Sequence, residues 1–156
     1  MHSLFAALGQ SALGHYMQTS VWGFAVIETI HLLALAVLGG SVLIIDLRLL
    51  GIVFQQESTR TISRGLLRLV VGSLLIMILS GVALLSEEAM KCYYSPAFRW
   101  KMTLLATVVT FWLTLHRKAL QQADSNPPTL WSRAVAVLSL ALWLGVGIAG
   151  RAIGFL

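Results

Sequence analysis

Glu28 and His31 stand one helical turn apart in Glu28-Thr-Ile-His31. They are the only ionisable side chains in the apolar run Val21–Ile45. Ionisable groups within hydrocarbon are expensive, and by default they mark a functional site. A neutral imidazole is a preferred ligand of iron, and a nearby carboxylate suits a metal ion. His31 is therefore the first candidate for a haem or metal ligand, with Glu28 as a second metal ligand. The Glu-x-x-His spacing also occurs in carboxylate-bridged metal bundles. Those need two such motifs and further carboxylates, and this chain has one.

The remaining candidates are few. Arg151 lies in Gly150-Arg-Ala-Ile-Gly154, and Lys101 follows Pro96-x-Phe98. Both are cations suited to a haem propionate, and Arg151 is also an expected ion-pair partner for Glu28. His15 and His116 are candidate second imidazoles. Counted along the spans, His31 and His116 lie about 10 Å apart in depth, which is awkward for one shared haem. Projected on a straight helix, Glu28, His31, Leu35, Gly39, Val42 and Asp46 fall on one side, which is expected to face inward. Thr103, Thr107, Thr110 and Thr114 line the side opposite His116 and are expected to bond their own helix.

The elements that must carry these residues are transmembrane. The chain has 156 residues, 58% of them hydrophobic and 11% charged, against roughly 25% charged in soluble domains. Four spans are expected: Val21–Ile45, Leu66–Leu85, Ala97–Leu115 and Ala134–Gly150, the last extending toward Phe155. Each approaches the 20 residues needed to cross a bilayer, and each must be helical to satisfy its own backbone. Residues 1–20 read as a short amphipathic interfacial helix leading to Trp22. Residues 21–156 form the transmembrane domain. Asn126-Pro127-Pro128 is expected to break the chain before the fourth span. Cys92 is the only cysteine, so an intrachain disulfide is excluded.

The net charge of +5 reflects topology and not nucleic-acid binding. Arg48, Arg60, Arg64, Arg68, Arg117, Lys118 and Arg133 fall at one end of the spans. Lys91, Arg99, Lys101 and Arg151 fall at the other. Seven against four predicts both basic loops in the cytoplasm and both termini on the periplasmic side of a bacterial inner membrane.

Glu28-x-x-His31-Leu32, Asp46-Leu-Arg48-Leu-Leu-Gly51, Pro96-x-Phe98-x-x-Lys101, His116 and Gly150-Arg151 together resemble a family of small bacterial four-span membrane proteins. That resemblance covers most of the chain and implies the fold without implying an activity. Histidines within a four-helix membrane bundle also resemble b-type membrane cytochromes in architecture. The expected function is thus an integral-membrane haem b or metal-binding electron-transfer subunit. His31 would be the axial ligand, with a second ligand from His15 or a second copy. The alternative is a non-redox accessory or assembly subunit with a structural Glu/His/Arg network. Copper handling is disfavoured because the spans lack Met and Cys clusters. The expected partners are the lipid bilayer, further copies or a larger membrane complex, and a quinone.

Overall fold

The computed structural model describes residues 2–54, 56, 59–123 and 129–152, and these are helical apart from short connections. Three helices are long and apolar enough to cross a membrane: α3 (Val21–Leu50), α4 (Thr59–Glu87) and α8 (Leu130–Ala152). The break expected at Asn126-Pro127-Pro128 and the extension toward Phe155 lie outside the described residues.

The third expected span is built differently. Regular α-helix covers Pro96–Phe111 (α6), a π turn covers Trp112–His116, and α7 continues over Arg117–Ala123. The regular part is 16 residues long, about 24 Å at 1.5 Å per residue. It is shorter than a 30 Å hydrocarbon core, and the π turn carries the rod onward.

The amino-terminal segment is two helices, not one: α1 (His2–Gly9) and α2 (Ala12–Thr19). Ser11 caps α2 by accepting from the Gly14 amide at 3.1 Å. The corner is tight. A Cβ at Gly14 would lie 2.5 Å from the Gly9 carbonyl oxygen, so a side chain there would break the bend. A short helix, α5 (Ala89–Tyr94), fills what the sequence suggests is loop. It packs on α1, with Phe5 and Tyr93 ring centroids 5.4 Å apart.

Local chemistry sets the ends of the long helices. Ser20 caps α3 by accepting from Gly23 N–H at 3.0 Å. Gly51 closes α3 in the left-handed region, at φ 78°. Its N–H donates to Arg48 and the Ile52 N–H donates to Leu47, each at 3.0 Å. A left-handed residue after a helix favours glycine, which accounts for Gly51 in Asp46-Leu-Arg48-Leu-Leu-Gly51. Ser95 and Pro96 open α6, with the Ser95 hydroxyl accepting from Phe98 N–H at 3.4 Å.

Helix α3 is the central element, packed on α4 and α8. Its inward stripe runs Phe24, Ile27, His31, Ala34, Leu38, Ser41, Ile45 and Arg48, alternating steps of three and four. Of these, Ala34, Leu38, Ser41, Ile45 and Arg48 are buried. That is a 3.5-residue period, the mark of left-handed coiling. A straight 100° projection drifts away from it, and half of the set it places inward faces out. Glu28 and Gly39 are exposed, as is Leu35 at 37%. Val42 and Asp46 are buried beside the stripe.

Helix α6 touches α8, yet among the described residues no Cα of α6 comes within 8 Å of α3 or α4. At the basic end the gap closes, because α7 reaches both α3 and α4. The bundle is therefore tight at the basic end and looser at the end carrying His31 and Lys101.

Candidate functional site

Two polar centres sit in this frame, one at each level. At the basic end, His116 Nε2–H donates to Asp46 Oδ1 at 2.7 Å, and both side chains are fully buried. The π turn places His116 there. Such a turn holds more residues than an α turn, so side chains beyond it are rotated relative to those before it. Trp112 stacks on His116, with ring centroids 6.0 Å apart and planes 20° apart. Phe111 lies on it at 6.5 Å. Asp46 Oδ2 and His116 Nδ1 have no hydrogen-bonding partner among the described residues.

The second centre surrounds His31. Its Nδ1 lies 2.8 Å from Ser80 Oγ. Ser80 directs its hydroxyl hydrogen to the Ile76 carbonyl at 2.6 Å. With that hydrogen committed, Ser80 accepts from His31 Nδ1–H. The tautomer is thereby set, and Nε2 carries the lone pair. Gly81, next to Ser80, lies against the ring: a Cβ there would be in ordinary contact with His31 Cε1, at 3.5 Å. No hydrogen-bond partner of Nε2 occurs among the described residues.

Lys101 faces this level from α6. Asp46 pairs with His116, and His31 and Lys101 each precede their own member of that pair by fifteen residues on rods running the same way. Their charges are close enough to interact, and Glu28 is also within electrostatic range of His31. The Lys101 chain lies along α8. A Cβ at Gly150 would meet its Cε at 3.5 Å and its Nζ at 3.6 Å.

Several expected juxtapositions are not formed. No ion pair joins Glu28 to Arg151 among the described residues, and both side chains are exposed. Glu28 falls just outside the heptad stripe and is exposed. No group of three His, Cys, Asp or Glu side chains able to hold a metal ion occurs among the described residues. His15 is exposed on α2. His116 is committed to Asp46, fifteen residues and about 22 Å along α3 from His31. That is twice the separation expected from the sequence, because the spans reach further toward the basic end than their apolar cores suggest. The four threonines behave as expected. Thr103, Thr107, Thr110 and Thr114 donate to carbonyls four residues back at 2.5–2.8 Å.

Ser80 is the residue that sequence reasoning missed in a site role. A lone serine in an apolar span is ordinarily accounted for by helix packing. No spacing within α4 marks it, because its role comes from His31 on α3, 49 residues away in sequence.

A model of the family of unknown function DUF6644 matches residues 4–156. The chain belongs to that family. No curated protein and no solved structure matches it. In this DUF6644 chain the Asp46-Leu-Arg48-Leu-Leu-Gly51 run has a physical account. Asp46 pairs with His116, Arg48 is 9% exposed, and Gly51 ends the helix.

Proposed function

We propose that this DUF6644 chain is a four-span integral membrane protein, with the rod 96–123 as the fourth spanning element, that holds a haem-type cofactor on His31 and serves electron transfer. The observation that carries this reading is the fixed tautomer of His31. Ser80 takes Nδ1–H and leaves Nε2 as a lone pair beside the looser half of the bundle. Axial histidines are oriented in this way by their outer hydrogen bond.

The donor set fits a haem better than a bare metal ion. A macrocycle supplies its own four nitrogens and asks the chain for an axial imidazole, whereas a bare ion asks for three or more side chains. Bound haem would supply one-electron chemistry. His31 would ligate it through Nε2, Ser80 would hold the ring, and Lys101 would neutralise a propionate. His15 or a second copy would provide any second imidazole. Both termini would lie on the periplasmic side of a bacterial inner membrane, away from the basic end.

A second reading has its own observation. The buried Asp46–His116 pair beside a π turn favours a non-redox subunit in which this pair fastens the bundle or carries a proton. A visible spectrum separates the two. Protein purified from haem-supplied cells is expected to show a Soret band that shifts on dithionite reduction and is lost in His31→Ala. Colourless wild-type protein removes the haem reading and leaves the second.

A further inference from the structure

A groove of about 370 Å³ runs along the outside of the α3–α4 seam. Leu33, Val37, Leu69 and Gly72 line it, and Arg68 is the only charged side chain in its wall. The side is open: a Cβ at Gly72 would meet nothing within 4 Å. The His31–Ser80 bond sets the register of the two antiparallel helices. Ile30, at the far end of the groove, lies level with Gly81 beside that bond. Arg68 is twelve residues along α4 from Ser80 toward the basic end. The groove is therefore about 20 Å long at 1.5 Å per residue, somewhat deeper than one leaflet of a 30 Å hydrocarbon core.

We propose that this groove binds one anionic phospholipid of the leaflet at the basic end, with an acyl chain along Leu33, Val37 and Gly72 and its phosphate held by Arg68 and Arg64. The charge pattern selects this occupant. Arg64 and Arg68 lie one turn apart on α4 and are both exposed. Neither has a hydrogen bond or ion pair among the described residues. An arginine at the rim of hydrocarbon extends toward the headgroups, and a guanidinium recognises phosphate by paired hydrogen bonds. A basic rim above an apolar channel between two helices matches the two ends of a phospholipid. A second copy of the chain would bring another Arg64 and Arg68 to the same seam, which like-charge repulsion opposes.

The test is native mass spectrometry of delipidated protein in mixed micelles holding equal phosphatidylglycerol and phosphatidylcholine. Wild type is expected to retain one phosphatidylglycerol per chain in preference to phosphatidylcholine. Arg68→Gln should lower that retention roughly tenfold, the scale of one charge-assisted contact. Gly72→Leu should lower it by filling the channel, while Gly147→Leu, at an equally open position on α8, should not. Arg68 is exposed, so its substitution keeps the test sound even if Gly72→Leu misfolds. Equal retention of the two lipids by wild type overturns the proposal. So does undiminished phosphatidylglycerol in Arg68→Gln. Disulfide-linked dimers of Val37→Cys in a Cys92→Ser background also overturn it, by assigning the groove to a second copy.

Discussion

The two central histidines share a bundle and each bond through one nitrogen, and they differ in how the ring around the other nitrogen is packed. His116 is sealed: its ring is fully buried, bonded to Asp46 and stacked on Trp112. His31 is half-buried, held at one nitrogen by Ser80, and faces the level where α6 stands off from α3 and α4. A fully buried ring, bonded to a buried carboxylate and stacked on an indole, is suited to fastening helices. A ring locked at one nitrogen is suited to presenting the other. Position within the apolar span does not separate these roles; the packing around each ring does.

The sharpest way to break the comparison is to remove one partner at the sealed centre. Asp46→Ala leaves His116 buried and unpaired, and should cost about 3–5 kcal/mol. Denaturant unfolding in detergent, followed by tryptophan fluorescence, measures it. Replacing both partners with apolar side chains, as in Asp46→Leu/His116→Phe, should recover most of that loss. A fully stable Asp46→Ala protein would remove the fastening role and leave the pair as a proton site only. His31→Ala, at the half-open centre, should keep the fold assembled.

The contrast was partly legible in the sequence. Apolar run length located α3, α4 and α8, because a span's composition is fixed by its surroundings whatever its neighbours are. The threonine stripe was legible for a similar reason, since its bonds stay within one helix. The inward side of α3 was legible in part: His31, Val42 and Asp46 turn inward, and Glu28, Leu35 and Gly39 do not. Choosing between a 3.6 and a 3.5 period needs knowledge of coiling, and coiling comes from the partner helices. Glu28 shares a heptad position with the buried Val42 and Leu49, so its exposure reflects the looser packing at its end of the bundle. The π turn was also hidden. It exchanges regular backbone bonds for the burial of His116 against Asp46, seventy residues away in sequence, and no local propensity encodes that exchange.

The next test sharpens the role of the half-open ring without touching it. Ser80→Ala removes the acceptor that sets the His31 tautomer and leaves the imidazole in place. Loss of such an outer partner typically costs 10–100-fold in metal affinity. The cofactor of the proposed site should therefore be retained roughly 10–100-fold more weakly in Ser80→Ala, read by titration of the Soret band. Thermal stability should fall by only about 1 kcal/mol, the net worth of one hydrogen bond. If Ser80→Ala destabilises the fold as much as Asp46→Ala, the two centres are both fasteners and the distinction between them fails.

The smallest effect fixes which centre lies on which side of the membrane. Cys92 is half-buried in α5, at the end of the bundle that carries His31. Burial raises its thiol pKa above the usual range, and nearby Glu88 raises it further. The thiolate is the reactive form. At neutral pH Cys92 should therefore react with a thiol reagent more slowly than an exposed cysteine. Its rate should keep climbing with pH past the point where an ordinary thiol levels off. In intact cells, an impermeant maleimide at alkaline pH should label Cys92 slowly but fully. In a Cys92→Ser background, a cysteine placed at the exposed Gln121 of α7 should stay unlabelled until the cells are opened. The reverse pattern would put His31 and Lys101 on the cytoplasmic side and the Asp46–His116 pair outside. The internal geometry of the two centres would be unchanged, and the orientation drawn from the seven-to-four distribution of basic residues would be lost.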